Sequence, residues 1–266
     1  MDNLLITFGC SWIAGTGLHY KEGMSAEEYK TIIDDTDPNI EPIEYTQYSF
    51  RRILSTKFGY ENKNFSKMGS SNQRQFRFAK QYFSGIEFKK HQKEYRRIVV
   101  LWGITSTARV ELYDIQSESM KVYLFGKDQG RLTENANYYA RYFYDHNNEV
   151  NNLSIEMSHW DSYFESIGID NFWIDTLNHH DYMSSQYGYL SKRLLIEDSP
   201  RDILSQLCVL NNIEGYDRKY HFSIFKKDTN RLDKLVEIGV LNPFSYHPTK
   251  KGHQQIAEIL ERNIQL

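Results

Sequence analysis

Four short stretches of mostly apolar or β-branched residues stand out along the chain. Residues 4–8 and 97–102 have the continuous apolar character of buried parallel strands, and a glycine follows each of them. Residues 62–66 and 171–176 are weaker candidates of the same kind. We therefore predict four strands, separated by segments long enough to hold helices.

Helical spacing of apolar residues dominates the intervening segments. The pattern predicts helices over 48–58, 73–84, 134–167, 200–210 and 248–264. Because strands and helices alternate, the chain is predicted to be an α/β protein, a three-layer α/β/α sandwich with a central parallel sheet.

Two segments interrupt this alternation. Residues 18–45 are polar and acidic and contain two prolines, which indicates an excursion or lid with one short helix. Residues 105–135 contain an alternating stretch, 109–125, that predicts an inserted hairpin. The 266 residues are otherwise the length of one large domain, so 1–266 is interpreted as a single domain with these insertions.

Composition narrows the classes of function. The net charge of -3 argues against broad nucleic-acid binding, and two cysteines do not make a disulfide framework. The amino-terminal residues lack a basic region followed by a long apolar run, and no segment is apolar over a membrane-spanning length. We expect a cytoplasmic protein with no membrane or nucleic-acid partner; the oligomeric state is left open.

Chemistry-bearing residues follow the predicted strands. Parallel sheets place their sites at the carboxyl ends of strands, and the loops there are 9–12, 67–72 and 103–107. Ser11 follows the first strand on a predicted sharp strand-to-helix turn, where its hydroxyl would be exposed next to a helix N-terminus. Taken alone, Ser11 is more often an ordinary helix cap.

A second motif lies near the other end of the chain. His247 is followed by Pro248 and Thr249 and then by Gly252 and His253, just before the last predicted helix. Ser11 near one end and this His-Pro-Thr-x-x-Gly-His motif near the other resemble the SGNH (GDSL-type) serine hydrolase superfamily. The resemblance implies a flavodoxin-like fold, with Ser11 as nucleophile and His247 as its base.

The middle of the chain also resembles the family, in the same order. Asn64 to Gly69 resembles the block whose glycine lends an N–H group to the oxyanion hole, so the resemblance implies that Ser11 and Gly69 supply backbone donors. Thr105 stands where the family has an oxyanion asparagine, and Asn72 is a candidate substitute. Trp102-Gly103 and the following Arg109 are similar to a divergent branch met in phage-encoded sequences, which would allow a virion-associated protein.

The family's acidic residue is missing from its usual place. Two and three residues before His247 stand Ser245 and Phe244, so no carboxylate orients the imidazole from there. Three alternatives remain: a Ser–His dyad with a backbone carbonyl fixing the tautomer, an acid from elsewhere such as Asp175, or a degenerate site used for binding.

Other candidates concern substrates and ions. Arg109 is a candidate for binding an anionic substrate group or for pairing with a carboxylate, and Trp12 is a candidate substrate contact. His179, His180 and Asp181 are adjacent, which rarely makes a metal site, so neither a metal nor a cofactor is expected.

Two functions follow from these patterns. The resemblance implies an esterase or deacetylase acting on O-acyl groups of a small molecule or glycan. The alternative is a catalytically weakened protein of the same fold that binds a glycan or a protein partner, as a phage structural or host-interaction component would.

Overall fold

The computed structural model describes residues 2–35, 46–115, 117–125, 134–177, 193–194, 202–213 and 229–264. The cluster 179–181 and the predicted helix start at Pro200 lie outside these ranges.

The described residues contain six strands in two sheets. The strands are β1 (Asn3–Phe8), β2 (Tyr60–Asn64), β3 (Arg97–Ile104), β4 (Arg109–Asp114), β5 (Ser119–Leu124) and β6 (Asp170–Asp175). Four of them form a parallel sheet in the order β2-β1-β3-β6, and β4 and β5 form a separate antiparallel hairpin. The prediction of an α/β protein with a central parallel sheet is confirmed.

Helices connect and cover these strands. They are α1 (Ser11–Ala14), α2 (Ala26–Asp35), α3 (Phe50–Phe58), α4 (Asn72–Phe83), α5 (Ile86–Glu94), α6 (Glu134–Tyr142), α7 (His146–Ser166), α8 (Ile203–Leu210), α9 (Thr229–Glu237) and α10 (Lys250–Glu261). A short 3-10 turn, Thr16–His19, follows α1. No helix in the described part of the chain is long and apolar enough to cross a membrane.

Alternation of side chains along the buried strands produces the three layers. In a strand, successive side chains point to opposite faces, so a strand buried on both faces needs apolar residues at every position. Leu5 of β1 belongs to one hydrophobic cluster, whereas Leu4 and Ile6 belong to another. The same division separates Val99 and Val100 of β3, which explains the continuous apolar run in the sequence.

Each hydrophobic cluster includes the helices of one layer. The first contains residues of α3, α8, α9 and α10, and the second contains residues of α4, α5 and α7. Aromatic rings fill the second cluster: Trp102 stacks on Phe8 and on Trp173, with ring centroids 4.5 and 4.9 Å apart. The sheet is therefore covered on both faces, as the α/β/α prediction requires.

Some elements differ from their predicted bounds. Strand β2 begins two residues earlier than predicted. The predicted helix 134–167 is two helices, because the extended residue Asp145 accepts a hydrogen bond from the backbone N–H of Asn148 and starts α7 there. Helices α5 and α9 were not predicted, since their sequences are mostly polar.

Candidate active site

Ser11 is the first residue of α1, immediately beyond the turn that ends β1. The turn is sharp: a Cβ atom on Gly9 would lie 2.2 Å from Cγ1 of Ile13, so only glycine fits there. Cys10, the residue before the serine, is fully buried with its Sγ 3.9 Å from Oγ1 of Thr176. Cys10 therefore connects the turn to the loop after β6.

His247 lies against Ser11 although 236 residues separate them in sequence. Its Nε2 is 2.6 Å from Oγ of Ser11, within hydrogen-bond reach. Thr249, the N-cap of α10, accepts a hydrogen bond from Gly252 and also donates to the carbonyl of Gly239. The histidine is thus held on a short anchored segment at the start of the last helix.

A glycine on the facing segment permits this approach. A Cβ atom on Gly17 would lie 2.2 Å from the carbonyl oxygen of Pro248 and 2.9 Å from Cβ of His247. The 3-10 turn after α1 consequently packs directly against the segment that carries the histidine. Gly17 is a positioning residue that the sequence analysis did not identify.

The other imidazole nitrogen contacts a hydroxyl. Nδ1 of His247 lies 2.7 Å from Oγ of Ser245, two residues before it in the sequence. Asp175 was considered as an acid that could orient His247. Asp175 ends β6, is buried, and pairs through its backbone with Ile104 and Asp202, so the group that holds Nδ1 is Ser245.

Asn242 organises the turn that presents Ser245 and His247. Its Oδ1 accepts hydrogen bonds from the N–H groups of Phe244 and Ser245 and from the hydroxyl of Ser245, at 3.1, 2.8 and 3.0 Å. Tyr246, next to the histidine, has a φ of 54°, a left-handed conformation that is strained for a tyrosine. Such a side-chain-stabilised turn can hold this conformation.

Tyr29 brings the excursion after residue 18 into contact with the site. Its hydroxyl, on α2, lies 2.9 Å from Oγ of Ser245 and 3.4 Å from the carbonyl oxygen of Thr16. Burial raises the pKa of Tyr29, so the phenol remains a neutral hydrogen-bonding group. The excursion therefore contacts Ser245, the residue that binds Nδ1 of His247.

These contacts form a chain of hydrogen bonds in which each group can donate to the next. If Ser11 donates to Nε2 of His247, then Nδ1 carries the imidazole hydrogen and donates to Ser245, whose hydroxyl donates to Asn242. This is the tautomer in which Nε2 can accept the serine proton. It ends in an amide and contains no carboxylate.

The environment of His247 keeps its ring neutral. Burial lowers the pKa of His247 to about 4, and the positive charge of Arg109 contributes in the same direction. A neutral imidazole is the form that accepts a proton. The imidazolium that forms after proton transfer is less stabilised here than beside an aspartate.

Candidate oxyanion residues come from the loops after β2 and β3. Gly69 lies on the loop after β2 with a φ of 68°, a conformation that favours glycine. Asn72 binds the backbone of Thr105 from both sides: its Nδ2 donates to the carbonyl at 2.9 Å, and its Oδ1 accepts from the N–H at 3.0 Å. Asn72 thus fixes the position of Thr105, and only the second hydrogen of Nδ2 remains for another acceptor.

Trp12, a candidate substrate contact, is buried. Its side chain is 4% exposed and belongs to the hydrophobic cluster that contains Phe50 and Leu54 of α3. The one-turn helix α1 directs Trp12 inward while Ser11 faces His247. The structure therefore gives no support to the assignment of Trp12 to the substrate site, which stays a prediction.

A cavity of about 590 Å³ adjoins the loops after β2 and β3. Its wall includes Asn72 and Thr107 as well as Tyr139 of α6 and Glu149 and Asn152 of α7. Glu149 accepts a hydrogen bond from Gln73, and burial raises the pKa of its carboxyl group. Amide, carboxyl and phenol groups in one concave site are suited to a ligand rich in hydroxyl groups.

The fold and this geometry define an α/β protein with a Ser–His pair at the carboxyl edge of a parallel sheet. No family model matches the chain, and no curated protein is significantly similar to it. The contacts of Ser11, His247 and Ser245 are therefore the basis for assigning a function.

Proposed function

We propose that the chain is a serine esterase or deacetylase of the SGNH type that hydrolyses O-acyl esters through Ser11 and His247. The observation that carries the proposal is the 2.6 Å contact between Oγ of Ser11 and Nε2 of His247. Nucleophile and base within hydrogen-bond reach, with a third group orienting the base, form the usual arrangement for covalent acyl transfer.

The proposed reaction proceeds in two halves. His247 takes the proton of Ser11 as Oγ attacks the ester carbonyl carbon, and the alcohol then leaves with that proton. In the second half His247 takes a proton from water, the hydroxide attacks the acyl group on Ser11, and the carboxylic acid is released as Ser11 regains its proton.

The oxyanion would be held by N–H groups from separate loops. In the proposal, the backbone N–H groups of Ser11 and Gly69 donate to it, together with the hydroxyl of Thr105 or the remaining hydrogen of Asn72. Loss of one such donor typically lowers kcat on the order of a hundred- to thousandfold. The Asn72–Thr105 hydrogen bonds support this role because they hold the two loops in register.

A carbohydrate is the proposed alcohol part of the substrate. The cavity beside Asn72 and Thr107, which has the polar side chains of Tyr139, Glu149 and Asn152 in a wall that also contains apolar residues, supports this choice. A glycan that carries an O-acetyl group would present a small acyl group to Ser11 and hydroxyl groups to such a cavity.

Hydrolysis of para-nitrophenyl acetate tests the proposal. Wild type is compared with Ser11→Ala and His247→Ala, and with Ser154→Ala as a matched control. Ser154 is buried, and among the residues that the structure describes its hydroxyl bonds only to the carbonyl of Val150 in its own helix. We expect activity in wild type and the control and none above background in the first two variants. Equal activity in wild type and Ser11→Ala would exclude Ser11 as the nucleophile.

Covalent labelling gives a second readout that does not need turnover. A fluorophosphonate reacts with an activated serine, and peptide mass spectrometry identifies the modified residue. We expect modification at Ser11 that is strongly reduced in His247→Ala. Modification at other serines only would contradict the proposal.

A binding protein of the same fold is the second candidate. It is favoured by the contact between Nδ1 of His247 and a hydroxyl, that of Ser245, since an acidic residue there would stabilise the imidazolium. Replacement of the acid in a catalytic triad lowers kcat by about 10⁴. Glycan binding without hydrolysis or labelling would support this candidate.

A further inference from the structure

Arg109 is the first residue of β4 and follows the turn that contains Thr105. Its backbone is anchored on both sides, because its N–H donates to the carbonyl of Ser106 at 3.1 Å and it pairs with Leu124 across the hairpin. The start of its side chain is therefore fixed next to the loop after β3.

In the described part of the chain, the guanidinium group of Arg109 lacks the carboxylate partner that such a group normally has. Its Nη1 is buried and makes no hydrogen bond, and in the described part of the chain no carboxylate lies within ion-pair distance of it. By contrast, Arg77 is paired with Glu111 of the same hairpin at 2.8 Å. A buried donor without an acceptor is unfavourable, so an acceptor from a ligand would be stabilising.

The charge of Arg109 acts on the candidate active site. It contributes to the lowered pKa of His247, after the larger effect of burial, so the guanidinium and the base interact electrostatically. A cation beside the base disfavours the imidazolium that forms during acyl transfer. A negative charge bound to Arg109 would remove that effect.

We infer that Arg109 binds an anionic group, a carboxylate or a phosphate, on the ester that Ser11 attacks. This inference rests on the proposed hydrolase function and names its substrate class. A guanidinium forms paired hydrogen bonds with either anion, and these fix the orientation of the ligand as well as its charge. The substrate then supplies a negative charge that offsets the charge of Arg109 near His247, which the uncharged hydroxyl of Ser245 does not do.

Pairs of matched esters test the inference. The first pair is para-nitrophenyl butyrate and para-nitrophenyl hemisuccinate, which carries a carboxylate on the acyl side. The second set is phenyl acetate, para-acetoxybenzoate and para-acetoxyphenyl phosphate, which place a carboxylate or a phosphate on the alcohol side. For each, kcat/KM is measured with wild type, Arg109→Gln and Lys121→Gln, a control that removes a cation from the same hairpin.

We expect wild type to favour at least one anionic ester over its neutral counterpart by about tenfold or more. Arg109→Gln should remove that preference, and Lys121→Gln should retain it. The anionic ester that wild type prefers identifies whether the bound group is a carboxylate or a phosphate. It also identifies whether that group lies on the acyl or the alcohol side of the ester. Equal kcat/KM for every anionic and neutral pair, or a preference that survives in Arg109→Gln, would overturn the inference.

A binding measurement separates this inference from the proposed function. If no ester is hydrolysed, the hydrolase proposal fails, and calorimetric titration of wild type and Arg109→Gln with benzoate and with inorganic phosphate decides the inference. Binding of either anion that is lost in Arg109→Gln would support an anion site. Equal binding by both proteins, or binding by neither, would overturn it.

Discussion

Oγ of Ser245 lies 2.7 Å from Nδ1 of His247, where an SGNH-type hydrolase would place a carboxylate. The hydroxyl can accept the Nδ1 hydrogen and so select the tautomer that Ser11 needs. It cannot supply the negative charge that stabilises an imidazolium. The contact can therefore orient the ring but does not add the negative charge that a carboxylate would add.

Removal of the Ser245 hydroxyl tests the orienting function. We expect Ser245→Ala to lower kcat by roughly ten- to a hundredfold, because Nδ1 loses the hydroxyl that orients the ring. The loss should be smaller than the 10⁴ seen when a triad acid is replaced by an amide, since alanine does not favour the wrong tautomer. Ester hydrolysis and the thermal midpoint are measured together, and Ser245→Thr, which keeps a hydroxyl, should recover part of the activity. An unchanged kcat in Ser245→Ala would show that the contact does not orient the base.

Addition of a carboxylate at the same position tests the charge. We expect Ser245→Asp to raise the pKa of His247 by at least about one unit, because an anion next to the ring favours its protonated form. Titration of the His247 ring by NMR measures this, with Ser245→Asn as the uncharged control. A pKa that is equal in the Asp and Asn variants would contradict the arrangement.

The pH dependence of catalysis follows from the lowered pKa of His247. Because the pKa is about 4, the base is neutral and active at all higher pH values until another group titrates. For a neutral ester we expect kcat/KM to be flat near neutrality and to fall with a midpoint near 4 as the pH decreases. A midpoint near 6.5 would show that the ring is solvated like an ordinary histidine.

Much of the fold could be predicted from apolar patterning because burial on both faces leaves a strong signal. Strand β3 is apolar at nearly every position, and it lies inside the sheet between β1 and β6. Helix α5 was missed because its nine mostly polar residues carry little periodic signal. Helix α9 has apolar residues at helical spacing, Leu232, Leu235 and Val236, but its nine residues are few for such a pattern to stand out. The break at Asp145 depends on one capping hydrogen bond within a long helical pattern.

Some residues of the candidate site could likewise be predicted from the sequence, and others could not. Ser11 and His247 could be predicted to meet, because the two motifs that contain them together resemble those of a family in which such residues form a pair. Tyr29 and Gly17 could not, since their roles depend on how the excursion and the 3-10 turn pack against the segment 245–248. Asn242 had a local signal, an Asn-Pro pair before the histidine, that favours a side-chain-stabilised turn.

Gly17 provides a test of the packing that positions His247. A methyl group there would lie 2.2 Å from the carbonyl oxygen of Pro248, so Gly17→Ala should displace the histidine segment. We expect a loss of most ester hydrolysis and a destabilisation of about 1–3 kcal/mol. Gly23→Ala is the control: its Cβ would meet no atom within 4 Å, and only its φ of 83° is unfavourable. Loss of activity in both variants alike would exclude a specific effect of Gly17.

His253 provides a test of stability against pH. Burial, with a smaller effect from Arg51, lowers the pKa of His253 to about 3, and its Nδ1 accepts the N–H of Phe50 at 3.4 Å. The unfolded chain binds the proton near pH 6.5 and the folded chain does not, so this residue's contribution to stability is present above 6.5 and decreases as the pH falls toward 3.

The free energy of unfolding of wild type is therefore compared with that of His253→Asn by urea denaturation from pH 7 to 4. The oxygen of asparagine can still accept the N–H of Phe50. Subtracting the variant's values removes other titrating groups, including Asp202, whose raised pKa of about 7 acts in the opposite direction. We expect wild type to lose on the order of a few kcal/mol relative to His253→Asn over this range. His159→Asn, an exposed site on α7, should follow wild type, and a constant difference between wild type and His253→Asn would show that the buried ring is protonated in the folded chain.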